Sequence, residues 1–327
     1  MSIKKIGVLT SGGDSPGMNA AVRAVVRTAC YHKIEVVGIR YGYRGLLTRD
    51  FVPLAMRTVC DIIHRGGTKL CTARCPEFKE EAKVIEAVNI AREEGIDGLV
   101  VIGGDGSFRG ARDLTNHGLP CVAIPGTIDN DIVCTDYTIG FDTCLNTIQQ
   151  LVDRLRDTIE SHSRCSVVEV MGARAGYLTL NAGIAVGATA IVIPEIPYDI
   201  EKDVIGKILS TKNEGKNHFI VMFAEGVRFR DGITIDEIAT RIQEATGIET
   251  RATVLGHIQR GGSPSVRDRV IASQMGTKAV HLINEGKSNR VVVMKGETIM
   301  DFDINEALQM EKTIDKDLYN CAMEISL

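Results

Sequence analysis

The sequence predicts an α/β protein with two domains and a mostly parallel sheet in each. Three observations support this prediction. The chain has 327 residues, which is more than one ordinary domain holds, and 44% of them are hydrophobic. Short apolar runs also alternate with helical patterns along the chain, which is typical of βαβ units.

The elements follow in two sets. In the first set, helical patterns cover Asn19–Ala29 and Lys83–Glu93, and apolar runs predict strands at Ile6–Thr10, Val36–Ile39, Leu99–Ile102 and Cys121–Ile124. In the second set, helices are predicted at Leu145–Ile159 and Ile235–Ala245, with strands at Ser166–Val170, Ala190–Ile193 and Phe219–Phe223. No linker separates the sets, and a late helix at Arg269–Ile283 can return to the first sheet. We therefore expect the chain to cross between the domains more than once, with a substrate cleft between them.

Composition and charge exclude several classes of protein. The net charge of −4 comes from mixed signs without a long basic face, so we expect no nucleic-acid or membrane partner. The start of the chain is not a signal peptide, and no apolar stretch reaches the ~20 residues of a membrane span, which predicts a cytoplasmic protein. Nine scattered cysteines indicate reduced thiols, and the pair Cys71 and Cys75 lacks the further Cys or His of a zinc site.

Two carboxylates stand close together directly after the predicted strand Cys121–Ile124. Parallel strands open their ligand crevice at their carboxyl ends, so Thr127, Asp129 and Asp131 are expected to face a substrate there. One carboxylate can take a proton while the other holds a cation. The alternative is an Asx turn, in which these side chains bond their own backbone.

Two glycine-rich loops offer backbone amides to an anion. The segment from Gly103 to Ser107 follows a predicted strand, and Ser11–Asn19 joins the first strand to the first helix. The loop Ser11–Asn19 matches neither a Walker A motif nor a dinucleotide fingerprint, so a plain turn is its alternative. The loop from Gly103 to Ser107 also occurs in families resembling NAD kinases and lipid kinases, and its Asp105 can instead cap the following helix. Loops that each carry a carboxylate suit a magnesium nucleotide beside an alcohol.

Positive charge gathers in the segment between Glu249 and Pro264. Arg251, His257 and Arg260 lie there, and guanidinium groups bind phosphate oxygens in pairs, which predicts a doubly charged phosphate on the substrate. Taken singly, each arginine can form a surface ion pair, and His257 can be a core histidine that donates to a carbonyl.

Together with Val167–Gly172, these segments resemble the bacterial ATP-dependent 6-phosphofructokinase family (the phosphofructokinase A family), from Lys4 to near the C-terminus. The resemblance implies transfer of the ATP γ-phosphoryl group to the 1-hydroxyl of fructose 6-phosphate in glycolysis. It implies a homotetramer of Rossmann-like three-layer α/β/α domains. Residues 1–140 plus 259–306 would bind ATP, and residues 141–258 plus 307–327 would bind the sugar phosphate.

The resemblance also assigns roles to single residues. Asp129 is the general base on the sugar hydroxyl, and Asp105 and Asp131 position Mg²⁺. The other catalytic positions are Thr127, Arg74 and Gly13. The ATP positions are Gly13, Tyr43, Arg74, Cys75, Gly104, Asp105, Gly106, Ser107 and Gly110. The substrate positions are Thr127, Asp129, Asp131, Arg164, Met171, Gly172, Glu225, Arg251, His257 and Arg260, of which Arg164 and Arg251 reach the 6-phosphate from a neighbouring subunit. The effector positions are Arg23, Arg27, Arg156, Lys216 and His218.

Several positions bear on the donor and on regulation. Gly106 and Gly126 favour ATP, because pyrophosphate-using relatives typically carry Asp and Lys there. Ala173 replaces a usual arginine, a loss that can cost ~3 kcal/mol of barrier, or about two orders of magnitude in rate, unless Arg174 substitutes. At the effector site, Thr189 replaces an acidic residue and Glu214 a lysine, which predicts a weak or altered response to ADP and phosphoenolpyruvate.

Three alternative functions remain at this point. The first is a pyrophosphate-dependent or other sugar-phosphate kinase of the same family. The second is a catalytically weak nucleotide and sugar-phosphate sensor, which Ala173 motivates. The third is an NAD kinase, whose chemistry has no use for the His257 and Arg260 phosphate clamp.

Overall fold

The computed structural model describes residues 3–326, and its contacts divide the chain into two units. Unit 1 holds the residues up to Ile128, then Ile132–Thr143 and Arg260–Lys312. Unit 2 holds Asp129–Asp131, Cys144–Gln259 and the residues from Thr313 onward. Each unit is therefore built from several separate stretches of the chain. We expected this because the predicted late helix can return to the first sheet.

Unit 1 contains a seven-stranded sheet of order β11-β10-β5-β4-β1-β2-β3. Its strands are β1 (Lys5–Ser11), β2 (Glu35–Ile39), β3 (Phe51–Leu54), β4 (Gly98–Gly103), β5 (Cys121–Pro125), β10 (Arg290–Lys295) and β11 (Thr298–Asp303). The five inner strands run parallel, and the two edge strands β3 and β11 pair antiparallel with their neighbours. The predicted apolar runs cover neither the two antiparallel edge strands nor the inner strand β10.

Helices cover both faces of this sheet. The helices of unit 1 are α1 (Met18–Tyr31), α2 (Gly42–Leu47), α3 (Glu81–Glu93), α4 (Asp105–Asn116), α10 (Val266–Asn284) and α11 (Ile304–Ala307). Alternate strand residues such as Leu9, Leu99 and Val101 share one core cluster with α3 and α4. The intervening residues Val8 and Val100 are also fully buried, on the side where α1 packs on α10. Unit 1 is therefore a three-layer α/β/α arrangement.

Unit 2 contains a four-stranded parallel sheet of order β7-β8-β6-β9. Its strands are β6 (Cys165–Val170), β7 (Ala190–Val192), β8 (Phe219–Ala224) and β9 (Thr250–Val254). Its helices are α6 (Tyr177–Ala185), α7 (Lys207–Asn213), α8 (Glu225–Asp231), α9 (Ile235–Thr246) and α12 (Lys316–Glu324), and the long helix α5 (Phe141–His162) begins in unit 1 and continues in unit 2. Helix α9 packs on β9 and β6, and α6 packs on β7 and β8. The predicted α/β class with two mostly parallel sheets is confirmed.

The unit borders differ by a few residues from the predicted ones at 140/141, 258/259 and 306/307. The first turn of α5 stays with unit 1, and so does the segment up to Lys312, whose side chain donates to the carbonyl of Thr135. Leu308 and Met310 of this segment pack against the core cluster of unit 1. Among residues 3–326, no helix has both the length and the apolar character to cross a membrane. Which unit binds which ligand stays a prediction.

Candidate active site

The three loops predicted to face a ligand begin at the same edge of the unit 1 sheet. In the strand register, Ser11 pairs with Gly103, and Gly103 pairs with Pro125. The loops are also tied to one another, because the N–H of Gly126 donates to the carbonyl of Gly103 over 2.9 Å. The Ser107 hydroxyl donates to the carbonyl of Ser11 over 3.3 Å. These contacts bring together the loops at Ser11, Gly103 and Pro125.

Gly13 and Arg260 lie against each other although 246 residues separate Arg260 from the neighbouring Asp14. A Cβ atom added at Gly13 would lie 2.7 Å from Nη1 of Arg260, so any other residue there would displace the guanidinium from this position. The same Nη1 donates to the carbonyl of Asp14 over 3.2 Å. Arg260 is half-buried and takes no part in the ion pairs among residues 3–326, so it is not the surface ion pair considered above. A fixed cation therefore stands beside the first glycine-rich loop.

The second glycine-rich loop, from Gly103 to Ser107, leaves open space at its glycines. A Cβ atom at Gly104 or Gly106 would meet no atom within 4 Å, and neither residue has a positive φ. The fold therefore does not itself require glycine at these two positions, which agrees with a ligand occupying the space. Asp105 is the first residue of α4 and makes no capping hydrogen bond, so the helix-cap alternative is wrong. Its carboxylate accepts from Arg109 over 2.6 Å.

Tyr43 lies beneath the second loop. It is buried, and its hydroxyl donates to the carbonyl of Ser107 over 2.5 Å. A Cβ atom at Gly110 would lie 2.6 Å from the Tyr43 ring, which stacks on Phe78 at 4.1 Å. Burial raises the pKa of Tyr43 well above its ordinary value. Tyr43 therefore supports Ser107 and Gly110 as a neutral hydrogen-bond donor.

Arg74 and Cys75 lie in a segment that is anchored to the first loop. The hydroxyl of Thr72 donates to the carbonyl of Gly12 over 2.7 Å. Arg74 is exposed, and Cys75 is half-buried with its thiol 3.5 Å from Glu77. Burial raises the pKa of the Cys75 thiol. The Arg74 guanidinium is thus exposed within an anchored segment, and Cys75 stays a neutral thiol at neutral pH.

The loop after β5 carries the carboxylate pair. Thr127 and Asp129 are each 8% exposed, and Asp131 is exposed. The carbonyl of Thr127 accepts from the hydroxyl of Thr138 over 2.6 Å. Asn130, between the two carboxylates, has a φ of 51°, in the left-handed region that asparagine tolerates. The backbone turns sharply there, with Asp129 largely shielded from water and Asp131 in contact with it.

In unit 2, one glutamate and one glutamine hold the loop that follows β6. Glu225 Oε1 accepts from the N–H of Gly172 over 3.0 Å and from the N–H of Ala173 over 2.7 Å. The N–H of Met171 donates to Gln259 Oε1 over 3.1 Å. Gln259 is fully buried, and its amide nitrogen donates to the carbonyl of Gly256 over 2.9 Å. The predicted positions Met171, Gly172 and Glu225 are therefore brought together.

Two further predicted positions meet on the sheet of unit 2. The strand register pairs Cys165 with Thr250 and Ser166 with Arg251. Glu249, which directly precedes β9, accepts from Arg164 over 2.8 Å and from Arg251 over 2.5 Å. The hydrogen bond from Arg164 is the main cause of the lowered pKa of Glu249. Arg251 is 69% exposed at its side chain. His257 is exposed as well, so its interpretation as a core histidine is wrong.

The predicted effector positions are divided between the two units. Arg23 and Arg27 lie on α1 in unit 1, and the Arg27 guanidinium approaches Cys60 Sγ at 3.8 Å. In unit 2, Arg156 donates to the carbonyl of Val186. Burial lowers the pKa of Lys216, and the charge of Arg156 lowers it further. His218 lies half-buried nearby in sequence, and Glu214 is exposed.

The carboxylates fit a magnesium ion that arrives with a nucleotide. Within residues 3–326 there is no group of three or more His, Cys, Asp or Glu side chains able to hold a metal ion. Protein sites for Mg²⁺ usually supply one or two carboxylates and leave the rest of the coordination to phosphates and water. Asp105 and Asp131 are each a single carboxylate of the kind that such a site uses.

Sequence reasoning missed the holding roles of Glu249 and Gln259. Both residues lie in the basic segment between Glu249 and Pro264, in which the sequence analysis considered only the basic residues. The available signal was the spacing of Glu249 and Arg251, two residues apart at the start of a predicted strand, where alternate side chains share a face. Gln259 carries no sequence signal, because its importance comes from burial beside a loop nearly 90 residues earlier.

A family model described as "Phosphofructokinase" matches residues 5–283. Curated relatives include the ATP-dependent 6-phosphofructokinases of Bacillus thuringiensis (strain Al Hakam) and Bacillus cereus (strain AH187). Each is 55% identical over 325 residues, which is 99% of this chain and 100% of the relative.

Solved structures give the same result for the fold. Phosphofructokinase from Saccharomyces cerevisiae superposes with a TM-score of 0.88 at 35% identity, over 99% of this chain and 48% of that chain, so this chain spans about half its length. A pyrophosphate-dependent phosphofructokinase from Marinobacter aquaeolei has a TM-score of 0.85 at 23% identity, over 96% of this chain and 86% of that chain, which supports the fold alone. The chain belongs to the phosphofructokinase family.

Proposed function

We propose that this chain phosphorylates fructose 6-phosphate on its 1-hydroxyl with ATP, as the committed step of glycolysis. The observation that carries the proposal is the 55% identity over the whole length to relatives named ATP-dependent 6-phosphofructokinase. The register that starts three loops at one sheet edge supports it, because phosphoryl transfer depends mainly on positioning and charge stabilisation. The proposal also includes a cytoplasmic location for the protein and its assembly into a homotetramer.

Asp129 acts as the general base in this proposal. It accepts the proton of the sugar hydroxyl as that oxygen attacks the γ-phosphorus atom, and the bond to the ADP oxygen breaks. Its low exposure supports this role, since little water competes with the sugar hydroxyl for a side chain that is 8% exposed. Thr127, two residues earlier, helps hold the group in transfer.

Asp105 and Asp131 are the residues that would hold magnesium. When bound, the ion neutralises charge on the phosphate oxygens of ATP. The hydrogen bond from Arg109 orients the Asp105 carboxylate, and the Asp131 side chain is exposed to solvent. Gly13 and Arg74 complete the catalytic set, with Arg260 beside Gly13 as a further cation.

ATP is the donor that the second loop supports. The open space at Gly104 and Gly106 can accept the nucleotide, and Ser107 and Gly110, which follow in α4, are supported by Tyr43. The resemblance implies an aspartate at this position in pyrophosphate-using relatives. An aspartate in place of Gly106 would fill the open space and add negative charge next to the phosphates.

The sugar phosphate is bound by the remaining predicted positions. Met171, Gly172 and Glu225 form one cluster, Arg260 supplies positive charge, and His257 supplies an exposed imidazole. Arg164 and Arg251 lie together on Glu249, and Arg251 is exposed enough to reach the 6-phosphate in a neighbouring subunit. Sites that borrow residues in this way need a closed oligomer, which supports the homotetramer.

Regulation by ADP or phosphoenolpyruvate is weak or altered in this proposal. Arg23 and Arg27 in unit 1 and Arg156, Lys216 and His218 in unit 2 are residue types that suit effector positions, but the exposed Glu214 of unit 2 opposes an anion. Thr189 is fully buried and cannot supply the carboxylate that a magnesium ion would need.

The experiment that tests the proposed base is Asp129→Asn. We expect kcat for fructose 6-phosphate with ATP to fall by about 10²- to 10⁴-fold, because the variant cannot accept the proton, while both substrates still bind. A coupled assay gives kcat, and calorimetry gives both dissociation constants. Asp131→Asn is the matched control, and it should respond to added magnesium where Asp129→Asn does not. Retained turnover in Asp129→Asn would show that another group takes the proton.

A further inference from the structure

A fully buried carboxylate lies in unit 1 outside every predicted site. Asp268 is 0% exposed and sits in the first turn of α10. Its Oδ1 accepts from the Tyr137 hydroxyl over 2.7 Å and from the Gly140 N–H over 2.7 Å. Its Oδ2 accepts from the N–H of Thr143 over 2.9 Å and from the hydroxyl of the same residue. Asp268 takes no part in the ion pairs among residues 3–326, so these four donors compensate its burial.

All four donors belong to one short segment, residues 137–143. This segment leads into α5, and Gly140 and Thr143 supply amides at the start of that helix. Asp268 therefore caps α5 from another helix, while Ser265 caps α10 by accepting from the N–H of Asp268 itself over 3.2 Å. The segment is fixed at both of its ends by a single side chain.

The same segment holds the loop that carries the proposed catalytic residues. The hydroxyl of Thr138 donates to the carbonyl of Thr127 over 2.6 Å. The N–H of Ile139 donates to the carbonyl of Pro125 over 3.0 Å, and Ile139 forms an isolated parallel bridge with Gly126. Residues 138–139 thus lie along Pro125–Thr127, directly after β5 and two residues before Asp129.

Close packing prevents the segment from shifting freely. A Cβ atom at Gly140 would lie 2.6 Å from Cβ of Ser15, in the first glycine-rich loop. The Ser15 hydroxyl in turn donates to the carbonyl of Ile139 over 2.8 Å. The segment is in contact with two of the three candidate loops, so a displacement at Asp268 would be passed to both.

We propose that Asp268 is a positioning residue for phosphoryl transfer, which acts through segment 137–143 to fix the backbone of Thr127. This inference rests on the proposed function, because it concerns the placement of Thr127 in that reaction. Asp268 touches neither substrate nor the reacting atoms. Its effect should therefore appear in kcat, since misplacement by a fraction of an ångström slows the chemical step more than it weakens binding.

The test compares Asp268→Asn, Thr138→Val and the double variant. The amide nitrogen introduced by Asp268→Asn would face two donors where the carboxylate offers an acceptor, and Thr138→Val removes only the bond to Thr127. We expect Asp268→Asn to lower kcat by about 10- to 100-fold with little change in KM for either substrate. Thr138→Val should give a smaller loss. The double variant should be no slower than Asp268→Asn, because both act through one segment.

Asp301→Asn is the matched control. Asp301 also accepts from several donors, Arg290 and Lys278, but it lies on the edge strand β11. It should lose stability and keep kcat. Equal loss of kcat in Asp301→Asn and Asp268→Asn, or kcat losses that multiply in the double variant, would overturn the inference.

Three further outcomes remain distinguishable from these. If Asp268→Asn does not fold, Thr138→Val carries the test alone, and an unchanged kcat in that variant overturns the inference. If the unaltered enzyme shows no turnover with ATP, the proposed function fails. If that enzyme is active and Asp268→Asn keeps its kcat, only the inference fails.

Discussion

Ala173 has a φ of 53°, in the left-handed region, and donates its backbone N–H to Glu225. Both features set the direction in which a side chain at this position leaves the loop. The resemblance described above implies arginine here, and Arg174, the nearest guanidinium along the chain, is exposed one residue later. Ala173 therefore has a left-handed backbone conformation but lacks the positive charge of an arginine side chain.

We expect Ala173→Arg to raise kcat by about tenfold or more, because it returns a cation to the group in transfer. The coupled assay measures this change. Ala173→Gly is the matched control. It should leave kcat unchanged and raise the free energy of unfolding by about 1 kcal/mol, since glycine adopts a positive φ without strain. An unchanged kcat in Ala173→Arg would mean that another group already stabilises that charge.

Single residues were predictable where their chemistry stands beside a predicted strand end. Thr127, Asp129 and Asp105 were singled out in this way, and their roles stay predictions. Gly13 and Arg260 were each singled out, but their contact was not, because residues so far apart in sequence meet only through the fold. Asp268 was missed for the same reason, as its donors lie about 130 residues earlier.

At the element scale, helix α9 shows how local sequence determines a boundary. The Thr234 hydroxyl accepts from the N–H of Glu237 over 3.3 Å, and the Glu237 carboxylate accepts from the N–H of Thr234 over 2.7 Å. This capping box begins the helix at Ile235, the residue at which the sequence predicts it.

We expect Thr234→Ala to lower the free energy of unfolding by about 1 kcal/mol, because an N-terminal amide of α9 loses its acceptor. Urea denaturation at neutral pH measures the change. Thr240→Ala, an exposed position in the middle of the same helix, is the control and should be neutral or slightly stabilising. Equal stabilities of the two variants would contradict the capping role.

The same box adds a dependence on pH. The hydrogen bond from the N–H of Thr234 is the main cause of the lowered pKa of Glu237, whose ordinary value is 4.5. A lowered carboxyl pKa stabilises the fold above the ordinary value, and this contribution is lost as the pH falls through the folded-state pKa. Glu237→Gln should therefore reduce the loss of stability below about pH 4.5, which urea denaturation at a series of pH values measures.

Buried strands were the elements that the sequence predicted best. Fully buried runs such as Leu99–Ile102 and Cys121–Ile124 lie within the observed strands β4 and β5. Helix α10 was predicted to begin at Arg269 but begins at Val266, after the cap Ser265. The spacing Ser265-x-x-Asp268 is the capping pattern that could have corrected this prediction. Short antiparallel edge strands depend on pairing, and no local signal marks them.

At the scale of the whole molecule, both the sequence and the structure lead to one family. The two parallel sheets, the interrupted units and the full-length similarity to Bacillus relatives agree. The donor is the property on which relatives of this fold differ, since a pyrophosphate-dependent neighbour shares the fold at 23% identity. The open glycines of the second loop favour ATP.

The most direct measurement is turnover of fructose 6-phosphate by the unaltered protein with magnesium and either ATP or pyrophosphate. We expect rapid formation of fructose 1,6-bisphosphate with ATP and little with pyrophosphate. Turnover with pyrophosphate alone would contradict the assignment of the donor. Tight binding of both substrates without turnover by either donor would contradict the kinase itself and favour a nucleotide and sugar-phosphate sensor.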